Sequence, residues 1–362
     1  MSARVYNFNP GPATLPLPVL EEIQRDLLDF GGTGMSIMEI SHRSKEYEAV
    51  HEETEAALKE LLGLGADYRV LFLGGGASMQ FDMVPMNFLP AGATADYVVT
   101  GSFAEKACEE ARKIGQVHLA ANTKDTNHNR IPIASEIKLS PNPAYVHITS
   151  NNTIFGTQWP TLPSFGSIPL VADMSSDILS RRFDATKFAL IYAGAQKNLG
   201  PAGVTIVIIR EDMLAKVPGT LPTMLRYDVH AKNNSLYNTP PGIAVYAVML
   251  VLRWLKAQGG LDAIEKRNRD KAALVYGAID GSNGFYKGHA VPEARSLMNV
   301  TFRLPNEELE GAFVREAKGA GLVNLKGHRS VGGMRASLYN AMPVEGCKKL
   351  AEFMREFARK NG

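Results

Sequence analysis

Short apolar segments alternate with helical patterns along the first part of the chain, and this alternation constrains the fold more than any other feature. The segments span residues 70–73, 97–100, 145–149, 168–172, 189–192 and 204–209. Each is mainly apolar, which is typical of strands buried on both faces of a sheet. Strands that alternate with helices predict an α/β fold with a mostly parallel sheet. Because the last two segments are joined by a short connection, we expect one strand there to be antiparallel.

The organisation changes after an apolar helix over residues 241–257, at the pair Gly259 and Gly260. Beyond that pair, the patterns predict helices over 261–279 and near 306–320, strands over 298–304 and 334–337, and a final amphipathic helix. We therefore predict two domains. Residues 1–258 form a large domain whose N-terminal segment reaches the second domain, and residues 259–362 form a smaller α+β domain.

Composition and charge argue against several classes of function. The formal net charge is +2, which provides no extended field for nucleic acid. The two cysteines, Cys108 and Cys347, cannot build a disulfide framework or a cysteine zinc site, so we expect no metal. Residues 1–16 lack the apolar run of a signal peptide, and the longest apolar run, 243–252, is about half the length of a membrane-spanning helix. We expect a cytoplasmic protein.

A glycine-rich loop over residues 74–78 follows the first apolar segment and opens a helix. Glycines let the backbone approach an anion, and a helix N-terminus donates free N–H groups to it. A tight turn without a ligand would have the same sequence. Two nucleotide patterns do not fit, because Met79 stands where a dinucleotide loop needs its third glycine, and no GxxxxGK[ST] segment occurs. The remaining functional interpretation is a phosphate cradle of another kind.

Two ionisable residues lie at the ends of later apolar segments. Asp173 is either a helix N-cap or a buried carboxylate that pairs with a cationic ring nitrogen. Lys197 is either a snorkelling side chain or a desolvated amine that can form a Schiff base. With the glycine loop, these two residues meet the main needs of pyridoxal phosphate (PLP), while Phe103 offers a flat face for its ring and Thr153 a donor for its hydroxyl.

Two His-Arg pairs and one further arginine form a cationic set. The pairs are His42 with Arg43 and His328 with Arg329, and their chemistry suits a phosphate, although a solvated loop would have the same sequence. Arg335 lies on a short apolar strand and can hold a carboxylate in a two-pronged contact. A structural salt bridge is the alternative for Arg335.

Long segments spread over nearly the whole chain resemble the class V pyridoxal-phosphate-dependent aminotransferases. They are NFNPGPATLP, SIMEISHRSKEY, VLFLGGGASMQFDMVPMN, ADYVVTGS, VADMSSDILSR, IYAGAQKNLGPAGVTIVIIRED, YNTPPGIAVY and LKGHRSVGGMRASLYNAMP. The resemblance implies the fold type I of PLP-dependent transferases, with a mostly parallel seven-stranded sheet in the large domain and a smaller α+β C-terminal domain. It also implies PLP as the cofactor and a homodimer with shared active sites.

The resemblance implies a role for each cofactor-binding position. Lys197 would carry the cofactor as a Schiff base and shuttle a proton, Asp173 would face the ring nitrogen, and Thr153 the ring hydroxyl. The cofactor phosphate would be bound by Ala77, Ser78 and Gln196, and from the partner subunit by Asn238 and Thr239. The ring-stacking position often carries Trp in this family, and here it is Phe103. Because Phe has a smaller face and no N–H group, we expect somewhat looser cofactor binding.

The resemblance also implies the substrates. The amino group of L-glutamate would pass to 3-phosphohydroxypyruvate, giving O-phospho-L-serine and 2-oxoglutarate in serine biosynthesis. Substrate anions would be held by Arg335, at the carboxylate next to the reacting carbon, and by a distal pocket of His42, Arg43, His328 and Arg329, with one His-Arg pair lent by the partner subunit. Some family members also form 4-phosphohydroxy-L-threonine in pyridoxine biosynthesis, and the sequence leaves that reaction open.

Two alternatives remain at this point. The first is another class V enzyme, such as a cysteine desulfurase or an alanine–glyoxylate aminotransferase. A desulfurase needs a nucleophilic cysteine on a mobile loop, whereas Cys108 and Cys347 lie in predicted helices. The second alternative is a non-catalytic binding protein on the same fold, which the presence of Lys197, Asp173 and Arg335 disfavours.

Overall fold

A computed structural model describes residues 4–362 as alternating helices and strands, which we number separately in chain order. The helices are α1 (Leu17–Asp26), α2 (Lys45–Leu62), α3 (Gly76–Phe88), α4 (Ser102–Ile114), α5 (Glu211–Leu214), α6 (Tyr227–Lys232), α7 (Gly242–Ala257), α8 (Gly260–Asp280), α9 (Glu307–Gly319) and α10 (Val344–Asn361). The strands are β1 (Tyr6–Asn7), β2 (Tyr68–Leu73), β3 (Thr94–Val99), β4 (Gln116–Asn122), β5 (Val146–Thr149), β6 (Asn151–Asn152), β7 (Thr157–Gln158), β8 (Leu170–Asp173), β9 (Leu190–Gly194), β10 (Thr205–Arg210), β11 (Lys287–Gly288), β12 (Asn299–Arg303), β13 (Leu322–Val323) and β14 (Met334–Ser337).

A seven-stranded sheet forms the centre of the molecule, with the strand order β2-β10-β9-β8-β5-β3-β4. Only β10 runs antiparallel to its two neighbours, β2 and β9, and the other adjacent pairs are parallel. The connection from β9 to β10 is too short for a crossover helix, so this pair has to be antiparallel. The predicted α/β fold with a mostly parallel sheet is confirmed, including its antiparallel strand.

The edge strand β4 is missing from the six apolar segments of the sequence. It pairs only with β3, and six of its seven residues, from Gln116 to Asn122, are partly or fully exposed in an irregular pattern, with Ala120 buried. A strand exposed in this way does not need a continuous apolar sequence, whereas β2, at the opposite edge of the sheet, is buried at five of its six residues. The apolar-segment criterion therefore cannot detect it.

Helices cover both faces of the central sheet, which explains why most of its strands are mainly apolar. In β2, Val70 and Phe72 pack into the hydrophobic core that includes α2 and α7, whereas Leu71 and Leu73 pack into the core that includes α3 and α4. Side chains in the interior of these strands are therefore enclosed on both faces. Side chains that could reach a ligand therefore lie at the ends of these strands. Within residues 4–362, no helix combines the length and the apolar character needed to cross a membrane.

The C-terminal part of the chain has its own sheet and its own hydrophobic core. The sheet is three-stranded and antiparallel, in the order β11-β12-β14, and the core joins it to α8, α9 and α10. The N-terminal segment reaches this part, because β1 pairs in parallel with β13 and Phe8 lies in the same core. The domain boundary after residue 258 stays a prediction, which the separate core supports.

Candidate active site

The side chain of Lys197 lies at the carboxyl-end edge of the central sheet, where polar side chains from several strands meet. It follows β9, and its Nζ donates a hydrogen bond to Thr153 Oγ1 at 2.8 Å. The same Nζ lies 5.1 Å from the centroid of the Phe103 ring, which belongs to the first turn of α4 after β3. Residues predicted separately from two other parts of the chain thus lie beside the Lys197 amine.

The surroundings of Lys197 favour its neutral form. Burial is the main cause and lowers the pKa of Lys197 to about 8. The positive charge of Arg335 also lowers this pKa, whereas the negative charges of Asp173 and Asp177 act against the shift. An amine with this pKa is a better nucleophile and proton acceptor near neutral pH than an ordinary lysine.

Asp173 is the last residue of β8, and only 5% of its surface is exposed. Its Oδ1 accepts a hydrogen bond from the backbone N–H of Ser175 at 2.9 Å. Burial raises the pKa of Asp173, and the charge of Lys197 opposes this rise most strongly. The segment that follows forms turns and no helix, so Asp173 is not a helix N-cap. A carboxylate held this way is suited to a cationic partner that enters the site.

The glycine-rich loop forms an uncapped helix N-terminus beside this cluster. Gly75 is the N-cap of α3 and has φ +84°, and a Cβ atom added to it would lie 2.5 Å from the Cβ of Met79. Gly76, Ala77 and Ser78 occupy the first turn of α3, where backbone N–H groups have no acceptor within the helix. These groups can receive a phosphate.

The N-terminal loop contacts the Lys197 segment. Ala13 donates its backbone N–H to the carbonyl of Gln196 at 2.8 Å. A Cβ atom on Gly11, which has φ +145°, would lie 3.4 Å from the Cγ of Lys197, so a glycine there allows close contact. The hydroxyl of Tyr339 donates to the carbonyl of Pro10 at 2.7 Å and fixes the loop from the other side.

Arg335 lies on β14 with 6% of its surface exposed and has unused hydrogen-bonding capacity. Its Nη1 is 3.5 Å from the carbonyl oxygen of Thr153, and its Nε is buried without a hydrogen-bond partner. Burial lowers the pKa of Arg335. Within residues 4–362 it makes no ion pair with a carboxylate, so the structural salt bridge considered from the sequence is not observed. This guanidinium fits a carboxylate supplied by a ligand.

A buried asparagine connects the Thr153 segment to the strand of Arg335. Asn299 accepts a hydrogen bond from Asn151 Nδ2 at 2.8 Å and donates to Ser337 Oγ at 3.0 Å and to the Tyr339 hydroxyl at 3.2 Å. Both Asn299 and Asn151 are buried. Asn299 is absent from the residues predicted from the sequence, because its partners lie far away along the chain and no local pattern marks it.

His328 and Arg329 lie in the loop between β13 and β14, near Arg335. His328 Nδ1 is 2.7 Å from Ser330 Oγ, and the side chain of Arg329 is exposed. Burial lowers the pKa of His328, and the positive charges of Arg335, Arg329 and Lys106 lower it further. His328 is therefore a neutral hydrogen-bonding group that gains a proton more readily when an anion binds beside it.

The other predicted residues lie outside this cluster in a single chain. Arg43 is exposed, and His42 Nε2 is buried without a hydrogen-bond partner. Asn238 and Thr239 are exposed, and Asn238 lines a cavity together with Gly74 and Gly75. Within residues 4–362, no hydrogen bond connects any of these four residues with Lys197, Asp173 or Arg335. Their roles stay predictions.

The two cysteines do not have the environment of a nucleophile. Cys108 lies in α4 and Cys347 in α10, and both are buried free thiols. Burial raises the pKa of Cys347 to about 12 and that of Cys108 in the same direction. A thiolate nucleophile needs the opposite shift and access to substrate, which disfavours a desulfurase.

Comparisons with known proteins agree with this geometry. The sequence model of the family described as aminotransferase class-V matches residues 5–350. A phosphoserine aminotransferase from Herpetosiphon aurantiacus is 62% identical to this chain over 99% of both. The solved phosphoserine aminotransferase from Bacillus circulans subsp. alkalophilus has a TM-score of 0.98 at 57% identity, covering 99% of each chain. A PLP-bound phosphoserine aminotransferase from Trichomonas vaginalis has a TM-score of 0.93 at 38% identity, covering 97% of this chain and 100% of its own.

Proposed function

The chain belongs to the class V aminotransferase family, and we propose that it transfers the amino group of L-glutamate to 3-phosphohydroxypyruvate, the reaction of a phosphoserine aminotransferase. The observation that carries this proposal is that two basic side chains from distant parts of the chain contact the same residue, Thr153. The Lys197 amine, with its pKa lowered to about 8, and the Arg335 guanidinium, which has no carboxylate partner within residues 4–362, both contact Thr153. One can do the chemistry while the other holds the substrate.

The residues present fit PLP as the cofactor. The free N–H groups at the start of α3 are suited to its phosphate, with Ala77 and Ser78 in that first turn and Gln196 beside Lys197. Asp173 would accept the N–H of the protonated ring nitrogen, Phe103 would cover the ring, and Thr153 would donate to its hydroxyl. When bound, PLP supplies an electron sink for the negative charge that develops on the substrate α-carbon.

Lys197 would perform the proton transfers. Its neutral Nζ would accept the proton from the substrate α-carbon, and the resulting ammonium would hold that proton and later donate it, so one amine would act as base and then as acid. The pKa of about 8 suits both roles near neutral pH, because neither form is strongly disfavoured. The hydrogen bond to Thr153 and the nearby Phe103 ring keep the amine in the site.

Arg335 and the His-Arg pairs would hold the two ends of each substrate. Phosphohydroxypyruvate carries a carboxylate next to its reacting carbon and a phosphate at its far end, while glutamate carries two carboxylates. Arg335 would bind the carboxylate that both substrates share. His328 and Arg329, with His42 and Arg43, would bind the distal anion. A two-anchor site of this kind accepts both substrates and discriminates against pyruvate, which has no distal anion.

We also propose a cytoplasmic homodimer with shared active sites. Within residues 4–362, His42 and Arg43 form no hydrogen bond with Lys197, Asp173 or Arg335, and His42 Nε2 is buried without a hydrogen-bond partner. Large apolar side chains in the preceding part of the chain are exposed, including Leu28 and Met38. Covering this surface with a second copy would bring cations to the partner's site and remove the apolar groups from water.

A visible absorption spectrum of the purified protein tests the proposed function directly. We expect a band from the bound cofactor, bleaching of that band by L-glutamate, and its restoration by phosphohydroxypyruvate but not by pyruvate. Absence of a band after addition of PLP would contradict the cofactor site. A band that glutamate leaves unchanged would contradict the amino donor.

The pKa of Lys197 predicts how the cofactor-free protein responds to pH. Because the pKa is lowered to about 8, the neutral and reactive form of this amine becomes dominant as the pH rises through about 8. An ordinary lysine reaches that state only near pH 10.4. We expect acetylation of Lys197 by acetic anhydride, followed by peptide mass spectrometry, to level off above about pH 8. Lys113, whose pKa is raised by its contact with Glu110, is the internal control and should keep gaining reactivity at higher pH. Parallel profiles for the two lysines would contradict the prediction.

A further inference from the structure

We propose that Lys106 is a specificity-determining residue of this site, which binds the distal phosphate of the substrate and favours it over a carboxylate. This inference rests on the proposed function and deepens it. Lys106 is not among the site residues predicted from the sequence, and its role follows from its place at the mouth of the Lys197 site.

Lys106 and Lys197 share an aromatic neighbour. Lys106 lies on α4 one helical turn after Phe103, and its Nζ is 5.6 Å from the centroid of the Phe103 ring. The Nζ of Lys197 is 5.1 Å from the same centroid. A side chain three residues after Phe103 lies on the same helix face, so Lys106 is directed to the site by the helix that carries Phe103. Its exposure allows the amine to reach a ligand that enters from solvent.

The charge of Lys106 also acts on the distal anion pocket. It is one of three cations, with Arg335 and Arg329, that lower the pKa of His328. Lys106 therefore adds a positive charge close to the pair His328 and Arg329, which we assign to the distal anion.

No side chain neutralises Lys106. Its helix carries Glu109 and Glu110 one turn further on, but Glu110 pairs with Lys113. Within residues 4–362, no carboxylate oxygen lies within ion-pair distance of the Lys106 amine, whereas Lys59 and Lys360 each form an ion pair with an acid on the same helix. An unpaired amine beside a cationic pocket increases its attraction for an anion.

A third cation in the pocket matters more for a phosphate than for a carboxylate. A phosphate monoester carries about 1.5 to 2 negative charges at neutral pH, against one for the distal carboxylate of glutamate. Coulomb attraction scales with this charge, and lysine binds phosphate as a point charge without a demand for two-pronged geometry. Lys106 would thus favour the phosphorylated substrate while leaving glutamate acceptable.

Lys106→Met tests this inference in the holoenzyme, because Met keeps an unbranched side chain over Phe103 and removes the charge. We expect kcat/KM for phosphohydroxypyruvate to fall about fivefold, an amount reduced by solvent screening at an exposed site. For glutamate we expect a change of less than about twofold. Inorganic phosphate should inhibit the variant more weakly than the parent enzyme. Lys113→Met, on the same helix, is the matched control and should leave both values unchanged.

The outcomes separate this inference from the proposed function. If the unsubstituted enzyme does not transaminate phosphohydroxypyruvate, the proposed function fails first. Suppose that enzyme is active. If Lys106→Met then leaves kcat/KM for phosphohydroxypyruvate unchanged, or lowers kcat/KM for both substrates equally, Lys106 does not determine specificity and the inference is wrong. Added salt provides a second readout, because the difference between Lys106→Met and the parent enzyme should shrink as the ionic strength rises.

Discussion

Replacing Lys197 with alanine is expected to abolish transamination, with a loss of at least about 10⁴-fold in turnover, while the protein stays folded. The proton on the substrate α-carbon would lose its acceptor and the cofactor its covalent anchor, and proton transfer by a positioned side chain alone contributes 10² to 10⁴. The fold should tolerate the change, because the substitution removes a partly exposed amine whose charge is unfavourable in its surroundings. Steady-state rates and thermal unfolding measured on the same preparation test both parts.

Two controls make this prediction specific. Lys113→Ala removes an exposed lysine far along α4 and should leave turnover unchanged. A second control uses the proposed dimer, because chains carrying Lys197→Ala and chains carrying Arg43→Ala, each inactive or impaired alone, should regain activity when co-expressed. Regained activity requires a site built from both chains. Full activity of Lys197→Ala would show that the proton-transfer mechanism is wrong.

The central sheet was largely predictable from the sequence, because its strands are buried on both faces. Double burial forces uninterrupted apolar residues, and such segments end where polar residues begin. Asp173 and Lys197 therefore stand out as ionisable side chains directly after strands, at the edge where ligands bind to parallel sheets. The edge strand β4 escaped the same criterion because six of its seven residues are partly or fully exposed.

The parts of the site built from distant segments were less accessible to sequence reasoning. Asn299 joins the segment of Thr153 to the strand of Arg335, but nothing in its local sequence distinguishes it from a surface asparagine. Lys106 lies in an ordinary amphipathic helix, and only the position of Phe103 reveals where its amine is directed. Long-range hydrogen bonds and shared neighbours depend on tertiary packing, which local patterns do not encode.

Domain division and subunit sharing remain predictions for a related physical reason. The C-terminal core that contains Phe302 and Phe313 is separate from the cores on the central sheet, yet it also contains Phe8 from the N-terminal segment. The N-terminal segment thus packs into the C-terminal domain, although the proposed boundary after residue 258 assigns it to the large domain. Likewise, the place of His42 and Arg43 in the partner's site stays a prediction, since no hydrogen bond joins them to Lys197 within residues 4–362.

Arg335→Leu is expected to lower kcat/KM by about 10²- to 10³-fold for glutamate and for phosphohydroxypyruvate alike. Both substrates carry a carboxylate next to the reacting carbon, and truncating one partner of a buried charge pair costs about 2–5 kcal/mol. The free protein should lose little stability, because the guanidinium has a buried Nε without a partner and its one hydrogen bond, to the Thr153 carbonyl, is long at 3.5 Å. Separate kinetics for each half-reaction and thermal unfolding measure these effects.

Arg335→Lys distinguishes charge from geometry at this position. Lysine keeps the positive charge but cannot bind a carboxylate through two parallel N–H groups, so we expect activity between that of the parent enzyme and that of Arg335→Leu. A loss confined to phosphohydroxypyruvate would place the phosphate, not the shared carboxylate, on Arg335. That outcome would contradict the proposed orientation of the substrate. In that orientation Arg335 binds the carboxylate beside the carbon that Lys197 deprotonates, because both side chains contact Thr153.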